Sequence, residues 1–349
     1  MKVLWIILAV LLLVAAAVLF GAWTMFGEKI TAAHSVKKLE DGLYCMEYRG
    51  DYGFDKFLEQ GGAASEAVMA QYIAAFLSNG VVKTAGNPVP QNFGCSTLTI
   101  ESANLMGRNF DWEGTGGSAM IVHTIPKGGY ESYSTCYLDF LGFGKNWKPE
   151  GFANQYMSLA AIYIPLDGIN EQGLCVADLV NGDSEQTHQN TEKPNLTTNS
   201  AIRLLLDCAG TVEEALTLLS QYDMNSAIGM SHHLAISDAT GRSVVVEYIS
   251  NEMIVTETTA VTNHYLSAGE KQGIGNAESH ARFEKLMEMH PGITTAEELK
   301  QGMEYVSYPD ITRWSIVYDL NQRSFDFYWR IQFDRGYHFQ LTAARPKAC

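Results

Sequence analysis

No stretch of this sequence is rich in lysine and arginine. Its 24 basic residues are scattered among 39 acidic ones, for a formal net charge of −15. Phosphate recognition needs clustered cations, so the distribution argues against nucleic acid as a partner. A glycine-rich phosphate cradle is missing as well, because Gly114-x-Gly116-Gly117 follows a strand-like run but opens no helix. The six cysteines (Cys45, Cys95, Cys136, Cys175, Cys208 and Cys349) include no C-x-x-C pair and no zinc-ligand spacing. His232 and His233 are strand neighbours that leave opposite faces, which makes them a poor chelating pair. They and His264 read as core or turn residues, and no metal or cofactor is expected. Internal repeats and low-complexity tracts are absent too. At 46% hydrophobic and 18% charged residues, the 349-residue chain suits one large globular domain or two ordinary ones.

One long apolar run is present. Val3–Trp23 (VLWIILAVLLLVAAAVLFGAW) holds no charge and follows Lys2. It matches the ~20 residues that cross a bilayer core and exceeds the roughly 7–15 of a signal-peptide apolar region. Residues 1–27 are therefore expected to form an uncleaved membrane anchor. A cleaved signal ending near Ala15-Ala16-Ala17 is the rival reading. Either puts the body outside the cytoplasm, membrane-anchored in the first case and secreted in the second.

Residues 28–94 read as a helical prosegment or small subunit. Ser65 can cap a helix whose apolar positions Val68, Met69, Tyr72, Ile73, Phe76 and Leu77 share one face. Asn79-Gly80 would end it, and Gly86-Asn87-Pro88-Val89-Pro90 reads as an exposed linker. Strand-like runs follow at Ser96–Glu101, Met106–Trp112, Met120–Ile125 and Leu159–Pro165. Helices are expected at Asn199–Cys208 and Thr211–Tyr222, with a capping box at Thr211-x-x-Glu214. Strands return at His233–Ser237 and Ser243–Tyr248. A helical block, Ser279–Val306, carries a second box at Thr295-x-x-Glu298, and a last strand pair covers 313–329. This order predicts an α+β chain with two antiparallel sheets and helices on their outer faces.

The stretch QNFGCSTLTIESANLMGRNFDWEG, residues 91–114, concentrates chemistry in a hairpin. With the turn at Ser102-Ala103-Asn104, Cys95 falls opposite Asp111, and Arg108 has the wrong parity for the same face. If the chain is cut before Cys95, the new α-amino group has a pKa of ~7.7–8.0 beside a thiol of ~8.5. Such an amine can take the thiol proton, so one residue carries nucleophile and base. Asp111 would orient the ammonium and Arg108 would favour the thiolate. The bland alternative is a buried strand cysteine beside a structural ion pair.

GCSTL followed by MGRNFDW resembles the nucleophile hairpin of the choloylglycine hydrolase family, which spans bile salt hydrolases, penicillin V acylases and N-acylethanolamine and ceramide amidase relatives. Further matches follow in order: DGINEQGLCVADL (167–179), HHLAISDATGRSVVVEY (232–248), VTNHYL (261–266), SHARFEKL (279–286) and DITRWSIVYDLNQRSFDFYW (310–329). The resemblance implies an N-terminal-nucleophile αββα sandwich over 95–349, matured by self-cleavage at Gly94–Cys95. It also implies hydrolysis of a linear non-peptide amide without a cofactor. By the same resemblance, Cys95 is the nucleophile, with Arg108 and Asp111 beside it. Asn263 would donate to the oxyanion, and Arg282 would complete the network. The family often has a site residue just after the GLCVADL-like strand. Val180 could fill that place through its backbone N–H, or Asn181 through its side chain.

The partner implied is a small-molecule N-acyl amide. Bile salts, fatty-acyl amides and phenylacetyl-type amides all fit. Tyr130, Tyr133, Tyr137, Phe140, Phe143, Trp147, Phe152 and Tyr156, set among glycines, form either a loop wall for an apolar acyl group or ordinary core and loop packing. Acyl transfer, or an uncleaved membrane-anchored binding protein, stands as the alternative function. Oligomeric state is left open.

Overall fold

The computed structural model describes residues 2–78, 93–114, 117–141 and 147–342. The expected helix end at Asn79-Gly80, the linker Gly86–Pro90, Phe143, Gly116 and Cys349 lie outside the described residues. The strands are β1 (Lys37–Glu40), β2 (Leu43–Gly50), β3 (Phe93–Ile100), β4 (Leu105–Trp112), β5 (Ala119–Pro126), β6 (Ser132–Tyr137), β7 (Asp167–Asn170) and β8 (Cys175–Val180). They continue as β9 (Asn195–Thr197), β10 (Asp223–Asn225), β11 (His232–Ser237), β12 (Ser243–Ile249), β13 (Glu252–Glu257), β14 (Ala260–Val261), β15 (Thr312–Asp319), β16 (Ser324–Trp329) and β17 (Gly336–Gln340). The helices are α1 (Lys2–Ser35), α2 (Phe54–Glu59), α3 (Glu66–Ser78), α4 (Phe152–Met157), α5 (Thr198–Cys208), α6 (Val212–Leu219), α7 (Ala277–Met289) and α8 (Ala296–Tyr305).

Two sheets result. One has the order β1-β2-β5-β6-β7-β8-β11-β12-β13, the other β14-β3-β4-β15-β16-β17. Their facing sides enclose a core that includes Cys95, Phe110, Ala177, Leu179, Ala235, Val245 and Trp314. Residues of opposite parity, such as Val176, Leu234, Ile236, Val244 and Val246, pack instead with α3, α5 and α6. Beyond the six-stranded sheet, Leu98 and Val317 meet Leu286, Leu299 and Met303 of α7 and α8. This gives the four layers the pattern predicts, helix–sheet–sheet–helix, because the central strands of both sheets are buried on both faces. Within the larger sheet the β2–β5 pair runs parallel, the one departure from its antiparallel order.

Caps fix several helix starts. Thr295 and Glu298 make the expected reciprocal box at α8. At α6 the Thr211 hydroxyl accepts from Glu214 N, but the Glu214 carboxylate turns back to Gly210 N at 2.7 Å.

Four expectations need correcting. The segment expected to be helical before residue 95 contains β1 and β2, which extend the nine-stranded sheet. Tyr44, Met46 and Tyr48 alternate into the core, which is strand periodicity. Leu159–Pro165 is not a strand, since Ser158–Tyr163 forms a buried 3₁₀ turn. The aromatic stretch is not one loop either, because it contains β6. Finally, among the described residues no helix is long and apolar enough to cross a membrane. Instead α1 runs unbroken through the expected boundary after residue 27, and Ala32 and Ala33 near its end are buried against the body.

The N-terminal segment is also tied in by polar contacts. Tyr52 donates its hydroxyl to Asp207 Oδ2 at 2.5 Å, and Arg203 Nε donates to Asp207 Oδ1 at 3.0 Å, all of it buried.

Candidate active site

The hairpin of β3 and β4 turns over Glu101–Asn104, and Asn104 takes a φ of 53°. Four turn residues, not three, shift the register by one. Gly94 then pairs with Asp111, Cys95 with Phe110 and Thr97 with Arg108. Because side chains alternate, that shift exchanges faces. Arg108, expected on the wrong face, shares the inter-sheet side with Cys95, where its charge acts on the thiol. Asp111, expected opposite Cys95, lies on the other face against Gly94.

That second face explains the glycine. A Cβ at residue 94 would come within 2.9 Å of Asp111 Oδ2 and 3.2 Å of Arg282 Nη2. Asp111 accepts from Arg282 Nη1 at 2.8 Å and from the Thr312 hydroxyl at 2.6 Å. Burial raises its carboxyl above the usual range, and the two donors with Arg108 pull it back.

Asn263 follows the short β14, which pairs with β3 and so brings the asparagine alongside Cys95. Its Oδ1 accepts from the Cys95 backbone N–H at 2.7 Å and from Arg282 Nη2 at 2.7 Å. Its Nδ2 donates to the Val180 carbonyl at 2.6 Å. With two donors on one side and a carbonyl on the other, only this orientation of the amide is satisfied. The second Nδ2 hydrogen has no acceptor among the described residues.

Val180 ends β8. Asn181 N donates to Ser231 O at 3.0 Å, and Asp178 N donates away from β11 to Leu166 O at 2.8 Å. In that alternation the Val180 N–H and carbonyl both face away from β11, on the edge where Asn263 sits. Asn181 itself is fully buried, and neither its Oδ1 nor its Nδ2 has a partner among the described residues. A buried orphan amide is rare enough to point to a ligand or a water.

The Cys95 thiol is buried, which pushes its pKa up, while Arg108 works against that rise. The Arg108 guanidinium is fully enclosed. Burial opposes its charge, but Cys95 and Asp167 hold it firmly protonated. Nη1 donates to Asn109 O at 3.0 Å, Nη2 to Asp178 O at 2.9 Å, and Nε approaches Asp167 Oδ2 at 3.4 Å. Cys95, Arg108, Asp111, Asn263 and Arg282 thus converge around the Gly94–Cys95 bond. Sequence reasoning passed over Asp167 and Thr312. Both fall within motifs that it quoted or adjoin them, but nothing local marks either as a partner of the site.

The histidines are structural. His232 pairs with Asp178 at 2.9 Å, whereas His233 bonds Glu247 at 3.0 Å and Thr262 O at 2.9 Å. Among the described residues, no group of three or more His, Cys, Asp or Glu could hold a metal ion. Of the aromatic stretch, Tyr137 and Phe140 reach the hairpin: Phe140 meets Trp112 edge-on at 5.0 Å and Tyr137 at 5.4 Å. Phe152 instead meets His34 of α1, the two rings tilted with centroids 5.1 Å apart.

The family model described as linear amide C–N hydrolases, choloylglycine hydrolase family, matches residues 95–264, starting at the cysteine. A penicillin V acylase of Pectobacterium atrosepticum is 31% identical over 99 residues, 26% of this chain. The matched part spans about a quarter (26%) of that relative's length. A variant of the conjugated bile acid hydrolase from Clostridium perfringens shares the fold, with a TM-score of 0.50 at 15% identity. That match covers 72% of this chain and 92% of the other. The penicillin V acylase from Agrobacterium tumefaciens superposes with a TM-score of 0.48 at 19% identity, over 67% and 82% of the two chains. Residues 95–264 of this chain thus match the linear amide C–N hydrolases of the choloylglycine hydrolase family.

Proposed function

We propose that this chain is a cysteine N-terminal-nucleophile hydrolase that cleaves a linear, non-peptide amide, R–CO–NH–R′, after cleavage of its own Gly94–Cys95 bond. The observation that carries the reading is the bond from Cys95 N to Asn263 Oδ1 at 2.7 Å. The nitrogen that would become the α-amine already belongs to the Asn263–Arg282–Asp111 network.

In maturation the Cys95 thiol adds to the Gly94 carbonyl, the C–N bond breaks, and the acyl group passes to sulfur. Water then hydrolyses the thioester and leaves the amine free. Asp111, now packed against Gly94, would face the new ammonium once the glycine moves away. In turnover the amine takes the thiol proton and the thiolate attacks the substrate carbonyl. The second Asn263 amide hydrogen and the Val180 N–H would hold the oxyanion, with Asn181 as a further polar contact for substrate. The ammonium returns its proton to the leaving amine, and water releases the acid.

Residues before Cys95 stay associated in this account, because β1 and β2 complete a sheet and Tyr52 is anchored at Asp207. We read the body as extracytoplasmic, a reading that the apolar run Val3–Trp23 supports. The substrate is an N-acyl amide with an apolar acyl group, which Phe110, Phe140 and Trp112 near the hairpin suit.

The test is a panel of N-acyl amides, including conjugated bile acids, phenoxyacetyl and fatty-acyl amides, assayed with wild-type and Cys95→Ala proteins. Free amine released by the wild type alone supports the reading. Amine release by Cys95→Ala, or N-acyl exchange with no free acid, contradicts hydrolysis at Cys95.

A further inference from the structure

Asp167 opens β7 in the nine-stranded sheet, yet every donor to its carboxylate comes from the facing six-stranded sheet. Trp314 Nε1 donates to Oδ2 at 3.0 Å, Tyr318 Oη to Oδ1 at 3.1 Å, and Arg108 Nε approaches Oδ2 at 3.4 Å. The Arg108 and Asp167 side chains are both 0% exposed. Arg108 lies on the same face of the hairpin as Cys95, and its charge acts against the rise that burial imposes on the thiol. Its other two nitrogens are held by backbone carbonyls, which orient the guanidinium but carry no formal charge. Asp167 is therefore the carboxylate that the described structure sets directly against this buried cation. A buried cation without such a partner is strongly unfavourable.

We propose that Asp167 is a positioning residue for the cysteine chemistry, fixing the Arg108 guanidinium against the Cys95 thiol and offsetting part of its charge. The inference rests on Cys95 being the nucleophile. Its consequence is that Asp167 sets how much positive potential the sulfur feels. With the carboxylate charge in place, the thiol keeps its proton until the neighbouring amine takes it. Without it, Arg108 acts on the sulfur undiluted and draws the thiol toward thiolate before substrate arrives. A thiolate stabilised in that way is also a weaker nucleophile.

The test measures the rate of Cys95 alkylation by iodoacetamide against pH, read by peptide mass spectrometry, on the full chain. Asp167→Asn keeps the shape and removes the charge. Its alkylation midpoint should move to lower pH, with roughly tenfold faster labelling on the acid side of the wild-type midpoint. Its kcat should fall with KM little changed, because Asp167 touches no substrate. Tyr318→Phe keeps the charge but removes one donor, so the carboxylate leans harder on Arg108 and the midpoint should move up. That variant carries the test if Asp167→Asn does not fold. Unmoved midpoints, or KM changing as much as kcat, would overturn the inference. If iodoacetamide labels Cys95 without loss of activity, the nucleophile assignment itself fails, which is a separate outcome.

Discussion

Gly94 and Asp111 face each other across β3 and β4 so closely that a methyl group on residue 94 would lie 2.9 Å from the Asp111 carboxylate. The residue preceding the cysteine is thus packed against the charge that the proposed new ammonium would meet. Gly94→Ala must push Asp111 or Arg282 aside, an overpacking cost of about 1–3 kcal/mol. The expected outcome is slower maturation together with a lower Tm, read by gel and by thermal unfolding. Processing at the wild-type rate would show that this close fit has no bearing on cleavage.

Asn263 holds the Cys95 nitrogen, and in the proposed mechanism it also offers its second amide hydrogen to the oxyanion. Both act on the reaction more than on substrate affinity. Asn263→Ala should lower kcat by ~10²–10³ with a smaller rise in KM. A raised KM at unchanged kcat would make Asn263 a substrate-binding residue instead.

The one-residue register shift marks the limit of what was legible in the sequence. The hairpin, its cysteine and its Arg-x-x-Asp could all be read from 91–114. The pairing could not, because it depended on whether the turn held three residues or four. That single residue decides whether Arg108 or Asp111 shares the cysteine's face. The layered architecture followed from the order of elements. The alternation of Tyr44, Met46 and Tyr48 was present in the sequence and yields a strand, but the neighbouring helical pattern of Val68–Leu77 drew the whole segment toward helix. Asp167 was beyond reach. Its partners Arg108, Trp314 and Tyr318 are 59, 147 and 151 positions away and meet it only when the two sheets stack.

Tyr52 tests whether the N-terminal segment is part of the folded body. Its hydroxyl is buried on Asp207, which also carries Arg203. Tyr52→Phe leaves a buried carboxylate short of one donor and should destabilise by about 1–3 kcal/mol. In cleaved protein the same change should speed loss of the N-terminal fragment on size exclusion in mild denaturant. Identical retention in both proteins would mean that this contact does not hold the segment.

Acid should weaken the wall of the site next to Asn263. His264 is buried, stacked on His280 at 4.1 Å and bonded to Ser279 Oγ at 2.8 Å. Burial, followed by the charge of His280, lowers its pKa from 6.5 to about 4. Between those values the unfolded chain takes up a proton that the folded chain refuses. Stability present above pH 6.5 is therefore lost as the pH falls toward 4. Glu247 adds in the same direction lower down. Burial alone would raise it, but His233, Ser267 and the Leu266 amide hold it at about 2. The Tm should fall across the upper window, and His264→Gln, which cannot take the proton, should flatten that fall. Equal slopes in the two proteins would assign the acid sensitivity elsewhere.

The central claim is that the catalytic base is the amine released at residue 95, and intact-mass analysis with N-terminal sequencing of active protein addresses it directly. The account predicts a fragment beginning Cys95-Ser96-Thr97 in every active preparation, while Cys95→Ala remains one uncut chain without activity. Full amide hydrolysis by a chain still joined through Gly94–Cys95 would contradict it.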